Sequence, residues 1–402
     1  MPNRLPLIFI VMTVVIDAMG VGLIMPVMPA LIREVQGGDL ANAAIWGGIL
    51  STAFAVMQFL FGPVIGALSD RYGRRPVLLV SLAAMAADYV IMALAGSIWL
   101  LLAGRILGGI TAATHSTANA YVADISEPHQ KAARFGLVGA GFGIGFVLGP
   151  VLGGILAEYG TRAPFWAAAI LSLANATFGY FVLHETVTDK IRRAFTWKRA
   201  NPFGALRAIT HFPGLGPLLT VYFVFHVATY VYPAVWAFFL TERFQWHEGM
   251  IGFSLGLYGL FYALVSGLLV QPSISWLGNR RTVVAGLGFE ILSLAIIAVI
   301  SSGTLLLVMI PIAALGSVAQ PALQSLMSRN VAANSQGELQ GVLTSINSVA
   351  MILSPIAMTQ TFAAFTRDSA PLYLPGAPFL LAMLLMIGAL ALYLRSSASS
   401  PD

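Results

Sequence analysis

The stretch that decides the fold is Gly66-Ala-Leu-Ser-Asp-Arg-Tyr-Gly-Arg-Arg75, which Pro76 follows directly. It separates two apolar runs, which cover about 46–68 and 77–95. Three arginines and one aspartate therefore crowd into a connection that is too short to form a domain of its own. Between membrane spans, a basic loop of this kind is retained on the cytoplasmic side. The stretch predicts two membrane-spanning helices joined by a short cytoplasmic loop.

Several residues of this loop have defined chemical properties. Gly66 and Gly73 allow close backbone approach and backbone angles that other residues avoid. Asp70 can accept charge-assisted hydrogen bonds from a neighbouring arginine or from backbone N–H groups at a helix start. Pro76 suits the first turn of the helix that follows. A loop that only sets topology would need the charges but not the glycines. The residues that we single out are Gly66, Asp70, Arg71, Gly73, Arg74 and Arg75.

The composition places the chain in a membrane. Of its 402 residues, 58% are hydrophobic and 9% are charged, whereas a soluble domain carries about 25% charge. Spans of about 20 residues joined by short loops fit roughly twelve helices, so we expect an all-α membrane protein. The chain has no cysteine, which excludes disulfides and thiolate metal sites. We find no metal-ligand cluster in the sequence and expect neither a metal nor a cofactor.

Basic residues set the expected orientation. When the loops are assigned to alternate sides, sixteen of the 21 Lys and Arg residues fall on one side and four on the other, with Arg105 inside a span. This bias predicts both termini in the cytoplasm. The same loops explain the net charge of +5, so we expect no nucleic-acid partner. The first apolar run contains Asp17 and lacks a cleavage site, which indicates the first span of a multi-pass cytoplasmic-membrane protein rather than a signal peptide.

A polar stretch at 185–213 divides the chain near its middle. It predicts a cytoplasmic linker between one six-helix half at 1–184 and a second at 214–402.

A weak internal repeat supports this division. Gly73-Arg-Arg in the first half has an echo in Gly278-Asn-Arg-Arg281 in the second. The echo lacks the acid, because Ser275 corresponds to Asp70. Repeated halves are a transporter architecture in which the substrate binds between the halves near the midplane.

Charged residues inside lipid are costly, and they are usually functional or paired. Four fall within the predicted spans: Asp17 in the first, Asp88 in the third, Arg105 in the fourth and Glu290 in the ninth. A carboxyl group held away from water and from cations can exchange its proton near neutral pH. A proton-coupled transporter requires that property. The alternative for each residue is a static ion pair or a carboxyl group that stays protonated.

The fourth span has a stripe of polar and small residues. Arg105, Gly108, Ala112, His115 and Asn119 follow intervals of three and four residues, which predicts one shared helical face. A face with a cation, a histidine and an amide is not expected to contact lipid. Arg105 stays protonated and could pair with a membrane carboxylate or a substrate anion. His115 could titrate or only form hydrogen bonds.

Further polar and aromatic residues inside the spans are candidates to line a substrate cavity. Aromatic side chains near a span end often serve as interfacial anchors instead. The polar candidates are Gln58, His226, Gln320, Gln324 and Asn347, and the aromatic ones are Tyr230, Tyr232 and Trp236.

The fifth span contains the most specific pattern, G-x8-G-x3-G-P-x2-G-G. Glycines four residues apart form a ladder on one side of the helix, which lets another helix approach closely. Pro150 removes an internal hydrogen bond and permits a kink. Packing alone would explain a ladder, but the complete pattern is less expected by chance. The pattern comprises Gly136, Gly145, Gly149, Pro150, Gly153 and Gly154, and the ladder comprises Gly141, Gly145, Gly149 and Gly153.

This pattern resembles the antiporter signature of drug–proton antiporters in the major facilitator superfamily. The Gly66–Arg75 loop resembles that superfamily's loop between helices 2 and 3, and Arg105-Ile-Leu-Gly-Gly109 resembles its fourth-helix arginine motif, implicated in proton coupling. The resemblance covers most of the chain and is closest to the tetracycline–proton antiporters. Resembling stretches are Asp17-Ala-Met-Gly-Val-Gly-Leu-Ile-Met-Pro26, Gly104-Arg-Ile-Leu-Gly-Gly-Ile-Thr111, Ile251-Gly-Phe-Ser-Leu255 and Pro321-Ala-Leu-Gln324.

The resemblance implies a major facilitator fold of twelve helices in two halves, and it implies roles for single residues. Asp17, Asp88 and Glu290 match acidic positions that are important in tetracycline export, and Gln58 matches a polar second-helix position. Two positions depart from the family. Glu290 replaces an aspartate, and Tyr262 stands where those exporters have a functional histidine, so we include Tyr262 among the candidate substrate-binding residues.

The leading hypothesis is a monomeric antiporter that exchanges an inward proton for an outward amphipathic compound by alternating access. Its partners would be a small-molecule substrate, protons and the lipid bilayer, and the Gly66–Arg75 loop would latch the cytoplasmic side. An alternative of the same fold is a metabolite or sugar transporter, including a symporter, although the fifth-span signature argues against symport. A membrane enzyme or receptor is disfavoured, because the sequence has no phosphate loop and no nucleophile–base motif.

Tyr262 generates a prediction about specificity. Because a tyrosine replaces the titratable imidazole of the resembled exporters, we expect weak or absent tetracycline export. The measurement is tetracycline accumulation in cells that express the unmodified protein, with vector-only cells as the control. Strong, energy-dependent tetracycline efflux would contradict this expectation.

Overall fold

A computed structural model describes residues 5–112, 114–127, 129–189, 192–197, 200–332 and 335–398. Within these ranges the chain forms helices and connecting loops, without β-strands. Twelve helices are long and apolar enough to span a membrane, which confirms the predicted all-α fold. They are α1 (Leu5–Ile24), α2 (Leu40–Tyr72), α3 (Arg74–Leu94), α4 (Ile98–Ile125), α5 (Ala133–Ala157), α6 (Ala163–Val182), α7 (Gly216–Phe244), α8 (Glu248–Leu268), α9 (Val270–Val299), α10 (Gly303–Arg329), α11 (Gln336–Thr366) and α12 (Ala377–Ser396).

The predicted sequence repeat has a structural counterpart. Gly73, just before α3, has a φ of +114°, and Gly278, inside α9, has a φ of +74°. Glycine enters this region without the steric cost that a Cβ atom imposes. The chain therefore turns at the same point of the repeat in both halves, and α9 is kinked at Gly278.

Gly66 does not behave as predicted. It lies inside α2, and an added Cβ atom would meet no heavy atom within 4 Å. Its φ is not positive, in contrast to that of Gly73. The prediction of close approach and an unusual backbone angle is therefore wrong at Gly66. It is correct at Gly73, where the Glu185 carboxylate lies against the glycine.

Helices α4 and α10, which occupy equivalent places in the two predicted halves, begin with the same kind of cap. Ser97 caps α4 and Ser302 caps α10, each accepting a hydrogen bond at 3.3 Å from the N–H group three residues on. A 3-10 turn, Leu315–Val318, interrupts α10. The described helices of α4 are Ile98–Thr111 and Thr114–Ile125.

The chain forms two compact units. The first comprises Met1–Gly37, Ala53–Pro202 and His247–Gly256, and the second comprises Gly38–Thr52, Phe203–Trp246 and Leu257–Asp402. Helices α2 and α8 therefore contribute residues to both units. The division into halves at 184 and 214 stays a prediction, since these units follow spatial contact rather than chain order.

Helix α5 lies directly against α1 along the glycine ladder. An added Cβ atom at Gly149 would lie 2.6 Å from the carbonyl oxygen of Met19, and one at Gly153 would lie 2.9 Å from the Cα atom of Leu23. Gly145 faces the same helix at a similar distance. Real side chains do not tolerate such distances to backbone atoms, so the ladder permits the close approach that the sequence predicted.

Another side of α5 meets α8. An added Cβ atom at Gly154 would lie 2.6 Å from the carbonyl oxygen of Glu248, and Gly252 lies against the carbonyl oxygen of Pro150. Small residues thus bring α5 close to helices on two sides. Gly136 differs, because an added Cβ atom there would meet no heavy atom within 4 Å. Packing therefore does not explain why Gly136 belongs to the pattern.

The ladder generates a prediction about packing. Leucine at Gly149 would push α5 away from α1, so Gly149→Leu should insert into the membrane but lose transport by more than about tenfold, as expected for an overpacked core. The matched control is Gly143→Leu, because Gly143 is exposed on the same helix with open space around it. A wild-type transport rate in properly inserted Gly149→Leu protein would refute the packing argument.

Candidate functional site

Glu185 binds the start of α3. Its carboxylate accepts hydrogen bonds from the backbone N–H groups of Arg74 at 2.9 Å and Arg75 at 3.2 Å. The N–H group of Val187 donates to the same carboxylate at 2.9 Å. The first N–H groups of a helix lack partners within the helix, and the helix dipole favours an anion there. Glu185 thus fastens the beginning of the linker to α3, a role that the sequence analysis missed.

Asp70 pairs with Arg74, which confirms the arginine partner predicted for it. Asp70 Oδ1 lies 2.6 Å from Arg74 Nη1, and Arg74 Nε lies 3.2 Å from Asp124 Oδ2. The hydroxyl group of Thr186 donates to Asp124 Oδ2 at 3.0 Å. Arg74 therefore connects carboxylates of α2 and α4 at one end of the first unit.

The two other arginines of the loop stack on aromatic rings. The Arg71 guanidinium lies 5.0 Å from the ring centroid of Tyr72, and that of Arg75 lies 5.3 Å from the ring centroid of Tyr180. Arg75 also donates to the carbonyl oxygen of Tyr180 at 2.8 Å. The cation–π contact and the hydrogen bond of Arg75 hold the loop against α6.

Asp88 and Arg105 form an ion pair inside the first unit. Arg105 Nη2 lies 2.8 Å from Asp88 Oδ2. The Arg105 side chain is 12% exposed, and the Asp88 side chain is 2% exposed. Arg105 also contacts the Met92 sulfur at 2.7 Å and lies 5.3 Å from the ring centroid of Phe54. The arginine of the predicted stripe thus binds a membrane carboxylate. Asp88 Oδ1 and Arg105 Nε are buried without a hydrogen-bond partner in the described part of the chain.

Glycines of α4 make room for Asp88. An added Cβ atom at Gly104 would lie 2.9 Å from Asp88 Oδ1, and one at Gly108 would lie 3.0 Å from Asp88 Cγ. The carboxyl group therefore lies directly on the α4 backbone. Any side chain at these positions would displace it.

Tyr89 follows Asp88 in α3 and contacts α1, although the sequence analysis did not single it out. Asp17 is half-buried in α1, and Tyr89 is 3% exposed in α3. The Tyr89 hydroxyl group lies against Gly20, one helical turn after Asp17. This contact with α1 could not be inferred from the spacing within α3.

Glu290 is placed in the second unit much as Asp88 is in the first. It is 2% exposed, and an added Cβ atom at Gly316 would lie 2.6 Å from Glu290 Oε1. Gly316 belongs to the 3-10 turn that interrupts α10. The Tyr232 hydroxyl group donates to Glu290 Oε2 at 3.5 Å. In contrast to Asp88, Glu290 forms no ion pair with a described residue.

A row of aromatic side chains leads away from Glu290. The ring of Tyr232 stacks on Tyr258 at 5.9 Å, and Tyr258 lies 6.2 Å from Tyr262. Tyr262 is 42% exposed, so the row reaches the surface of the second unit. Trp236 is buried and packs against Tyr232 at 5.9 Å and Phe379 at 6.1 Å. Trp236 therefore supports the row from inside the core.

Several other predicted residues come together between α7, α10 and α11. Gln324 donates to the Tyr222 hydroxyl group at 3.1 Å, and the Tyr222 ring lies 4.4 Å from the buried ring of His226. Tyr230 donates to Asn347 at 3.2 Å. His226 Nε2 is buried without a hydrogen-bond partner among the described residues. These groups offer neutral donors and acceptors beside aromatic faces.

The remaining predicted residues have fewer defined neighbours. Gln320 is half-buried in α10. Gln58 and Asn119 are half-buried in α2 and α4. In the ranges that the structure describes, no three His, Asp or Glu side chains are placed to hold a metal ion.

The predicted stripe on α4 is described only in part. The described helices are Ile98–Thr111 and Thr114–Ile125, so one shared helical face from Arg105 to Asn119 stays a prediction. The side chain of His115 lies outside the described part of the structure.

Comparison with known proteins decides the family. A model of the Major Facilitator Superfamily matches residues 10–355 and 218–401. The chain belongs to this superfamily. It is therefore a transporter rather than an enzyme.

This major facilitator protein has relatives of similar length. It is 39% identical to the class C tetracycline resistance protein of Escherichia coli over 364 residues, which cover 90% of this chain and 91% of that protein. It is also 39% identical to the class G protein of Vibrio anguillarum over 351 residues, which cover 87% and 88% of the two chains. These relatives confirm the resemblance that the motifs indicated.

A solved structure confirms the fold independently of close sequence similarity. A bacterial homologue of the human lysosomal transporter Spinster aligns over the whole of both chains with a TM-score of 0.79 at 17% identity. At this identity the similarity concerns the fold alone.

The contact between Gly316 and Glu290 generates a prediction. Alanine at Gly316 would push the Glu290 carboxyl group off the α10 backbone, so Gly316→Ala should lower the transport rate by about tenfold, the effect expected for overpacking. The matched control is Gly267→Ala in α8, where an added Cβ atom meets open space. Equal rates in the two variants and the wild type would show that this contact is not needed.

Proposed function

We propose that the protein is a proton-coupled efflux antiporter that exports a small amphipathic compound, a tetracycline-like drug or another, across the cytoplasmic membrane by alternating access. The observation behind the proposal is that each unit has a membrane carboxyl group, Asp17 in α1 and Glu290 in α9, that forms no ion pair with a described residue. The curated relatives, named as tetracycline resistance proteins, support drug efflux.

The four membrane charges have different tasks in this proposal. Asp88 is paired with Arg105 at 2.8 Å, so it already has a partner charge and is less suited to exchange a proton than an unpaired carboxyl group. Asp17 and Glu290 lack such a cation, so each is stable in the protonated form and can release its proton when water or substrate reaches it. We therefore assign proton exchange to Asp17 and Glu290. To the Asp88–Arg105 pair we assign a supporting electrostatic role in proton coupling.

The transport cycle follows from this assignment. With the site open to the cytoplasm, a carboxyl group releases its proton and the compound binds. With the site open outside, reprotonation removes the favourable interaction and the compound leaves. The proton and the compound must each favour one conformation over the other, because a ligand shifts a conformational equilibrium only through such a difference.

Neutral polar groups in the second unit suit an amphipathic compound. Tyr222, His226 and Gln324 offer hydrogen bonds beside aromatic surface, and Tyr230 with Asn347 extends the same cluster. Such a lining accepts planar, partly polar molecules without the cost of stripping water from a fixed charge. The other residues that we propose to contribute are Gln58, His115, Asn119, Trp236, Tyr262 and Gln320.

The charged cluster around the Gly66–Arg75 loop would act as the cytoplasmic latch. Both termini and this loop would face the cytoplasm, as the distribution of basic residues favours. Arg74 binds Asp70 and Asp124, while Glu185 binds the start of α3. These contacts would keep the helix ends of the first unit together while the protein works as a monomer.

The test uses purified protein in liposomes with an imposed pH gradient and a panel of tetracycline, doxycycline and ethidium. The wild type should accumulate at least one probe against its gradient, and an uncoupler should abolish this accumulation. Asp17→Asn preserves size and hydrogen bonding but cannot release a proton. It should therefore lose uphill transport about tenfold or more while it keeps downhill exchange, which needs only the conformational change.

Two outcomes would count against the proposal. If Asp17→Asn loses binding and exchange together with uphill transport, Asp17 binds the substrate rather than the proton. If no probe moves against its gradient in the wild type, or if an uncoupler has no effect, the protein is not a proton-coupled exporter of these compounds. Ser172→Ala, a change at a buried hydroxyl group of α6, serves as the control for a small polar change in the same unit.

A further inference from the structure

The linker contains a pattern that the proposed function does not use. The stretch Lys190-Ile-Arg-Arg-Ala-Phe-Thr-Trp-Lys-Arg199 has five basic residues and no acidic one. Two aromatic residues, Phe195 and Trp197, stand between two pairs of basic residues. A loop that only sets topology needs the charges but not the aromatic rings. Basic residues beside aromatic ones are typical of segments that lie on a membrane surface and bind anionic lipids.

A backbone contact places this part of the linker at the end of α2. The N–H group of Arg193 donates to the carbonyl oxygen of Asp70 at 3.2 Å. Asp70 lies two residues beyond Leu68, where the apolar run of α2 ends, and a helix rises about 1.5 Å per residue. Arg193 therefore lies near the level at which the hydrocarbon ends and the headgroups begin. Trp197 follows four residues later, so it lies within about 14 Å of Arg193.

Other contacts hold the linker just before this segment. Glu185 accepts hydrogen bonds from the first N–H groups of α3, and the Thr186 hydroxyl group donates to Asp124 at 3.0 Å. The exposed residues around the contact of Arg193 with the end of α2 therefore belong to one surface of the first unit. We call it the basic–aromatic surface, and its described residues are Arg71, Tyr72, Arg192, Arg193 and Trp197.

The surface brings positive charge to the headgroup level. The side chains of Arg71, Arg192 and Arg193 are exposed. Arg192 lies 3.7 Å from Asp189, but both side chains of this pair are exposed. Such an ion pair contributes little, so Arg192 remains able to bind another anion. Arg71 stacks on the ring of Tyr72 at 5.0 Å, which leaves the charge of the guanidinium in place.

The aromatic side chains of the surface are exposed as well. Trp197 is 76% exposed, and Tyr72 is 59% exposed. The Trp197 ring contacts Phe195 edge to face at 5.2 Å. A large apolar ring left in water is costly, whereas tryptophan and tyrosine are favoured among lipid headgroups because they combine an apolar ring with a polar N–H or O–H group. A layer of anionic headgroups therefore suits both the charges and the rings.

We propose that the basic–aromatic surface binds anionic phospholipid of the cytoplasmic leaflet, with the Trp197 ring among the headgroups and the arginines on lipid phosphates. Arginine forms strong, charge-assisted hydrogen bonds with phosphate oxygens. A free phosphate ion would satisfy the arginines but leave the indole ring in water, so the ring decides in favour of a lipid. The proposal goes beyond the proposed function, because it concerns neither the exported compound nor proton exchange.

The test measures quenching of tryptophan fluorescence in the full-length protein, reconstituted into nanodiscs. Bromine atoms on a phospholipid acyl chain, close to the headgroup, quench a tryptophan that they contact. The chain has seven tryptophans, so the emission of Trp197 is obtained as the difference between the wild type and Trp197→Phe. Equimolar nanodiscs of phosphatidylcholine and phosphatidylglycerol carry bromine on one lipid or on the other. Bromine on phosphatidylglycerol should quench Trp197 at least about twofold more strongly, because the arginines enrich anionic lipid around the ring.

Further comparisons attribute this preference to the arginines. The double variant Arg192→Gln with Arg193→Gln keeps Trp197 but removes two positive charges, so the preference should fall by about half or more. Sodium chloride at about 1 M screens charges beyond about 3 Å, so it should weaken the preference of the wild type. Trp99 is the matched control, because it is 68% exposed and has no charged residue within five positions along the chain. The emission lost in Trp99→Phe should be quenched equally by the two lipids.

Several outcomes would overturn the proposal. Equal quenching of Trp197 by the two lipids would remove the anionic preference, and no quenching by either would place the ring in water. An undiminished preference in the double variant would exclude Arg192 and Arg193 from the site. If inorganic phosphate removes the preference more effectively than sodium chloride at the same ionic strength, the surface binds a free phosphate ion rather than a lipid. Each measurement is independent of transport, so the proposed antiport would stand in every case.

Discussion

The structure depends on how a carboxyl group is accommodated inside a membrane-spanning helix. Such a group costs several kcal/mol in hydrocarbon unless it is paired, protonated or hydrogen-bonded. Here two of these groups lie directly on the backbone of the next helix: Asp88 on Gly104 and Gly108, and Glu290 on Gly316. Glycine allows this because it has no Cβ atom. Asp88 is then paired with a cation, whereas Glu290 meets the hydroxyl group of a tyrosine.

Because glycine has no side chain, the glycines of α5 also bring helices of the first unit together. Gly149 and Gly153 place the α5 backbone on α1, and α1 contains Asp17. A helix packed this closely cannot shift gradually, because dense packing tolerates only discrete rearrangements. We therefore expect a change of charge at Asp17 to rearrange α1 together with its neighbouring helices, rather than to shift α1 alone.

The sequence predicted the twelve helices well, because long apolar runs and basic loops are sufficient for that inference. It also predicted the α5 ladder, since glycines at a four-residue period favour close packing of one helix on another. It did not reveal Tyr89 or Tyr258. From the sequence alone, a tyrosine in an apolar run cannot be distinguished from an ordinary core residue, because its neighbours in space are unknown. Glu185 was missed because its partners are backbone N–H groups more than a hundred residues away.

The central claim is that Asp17 and Glu290 exchange protons when the substrate binds. The most direct measurement is proton release from purified protein in weakly buffered detergent solution, recorded with a pH indicator while the transported probe is added. The wild type should release protons as the probe binds. A variant with both Asp17→Asn and Glu290→Gln should bind the probe and release none. Undiminished release from that variant, or probe binding to the wild type without any release, would contradict the account.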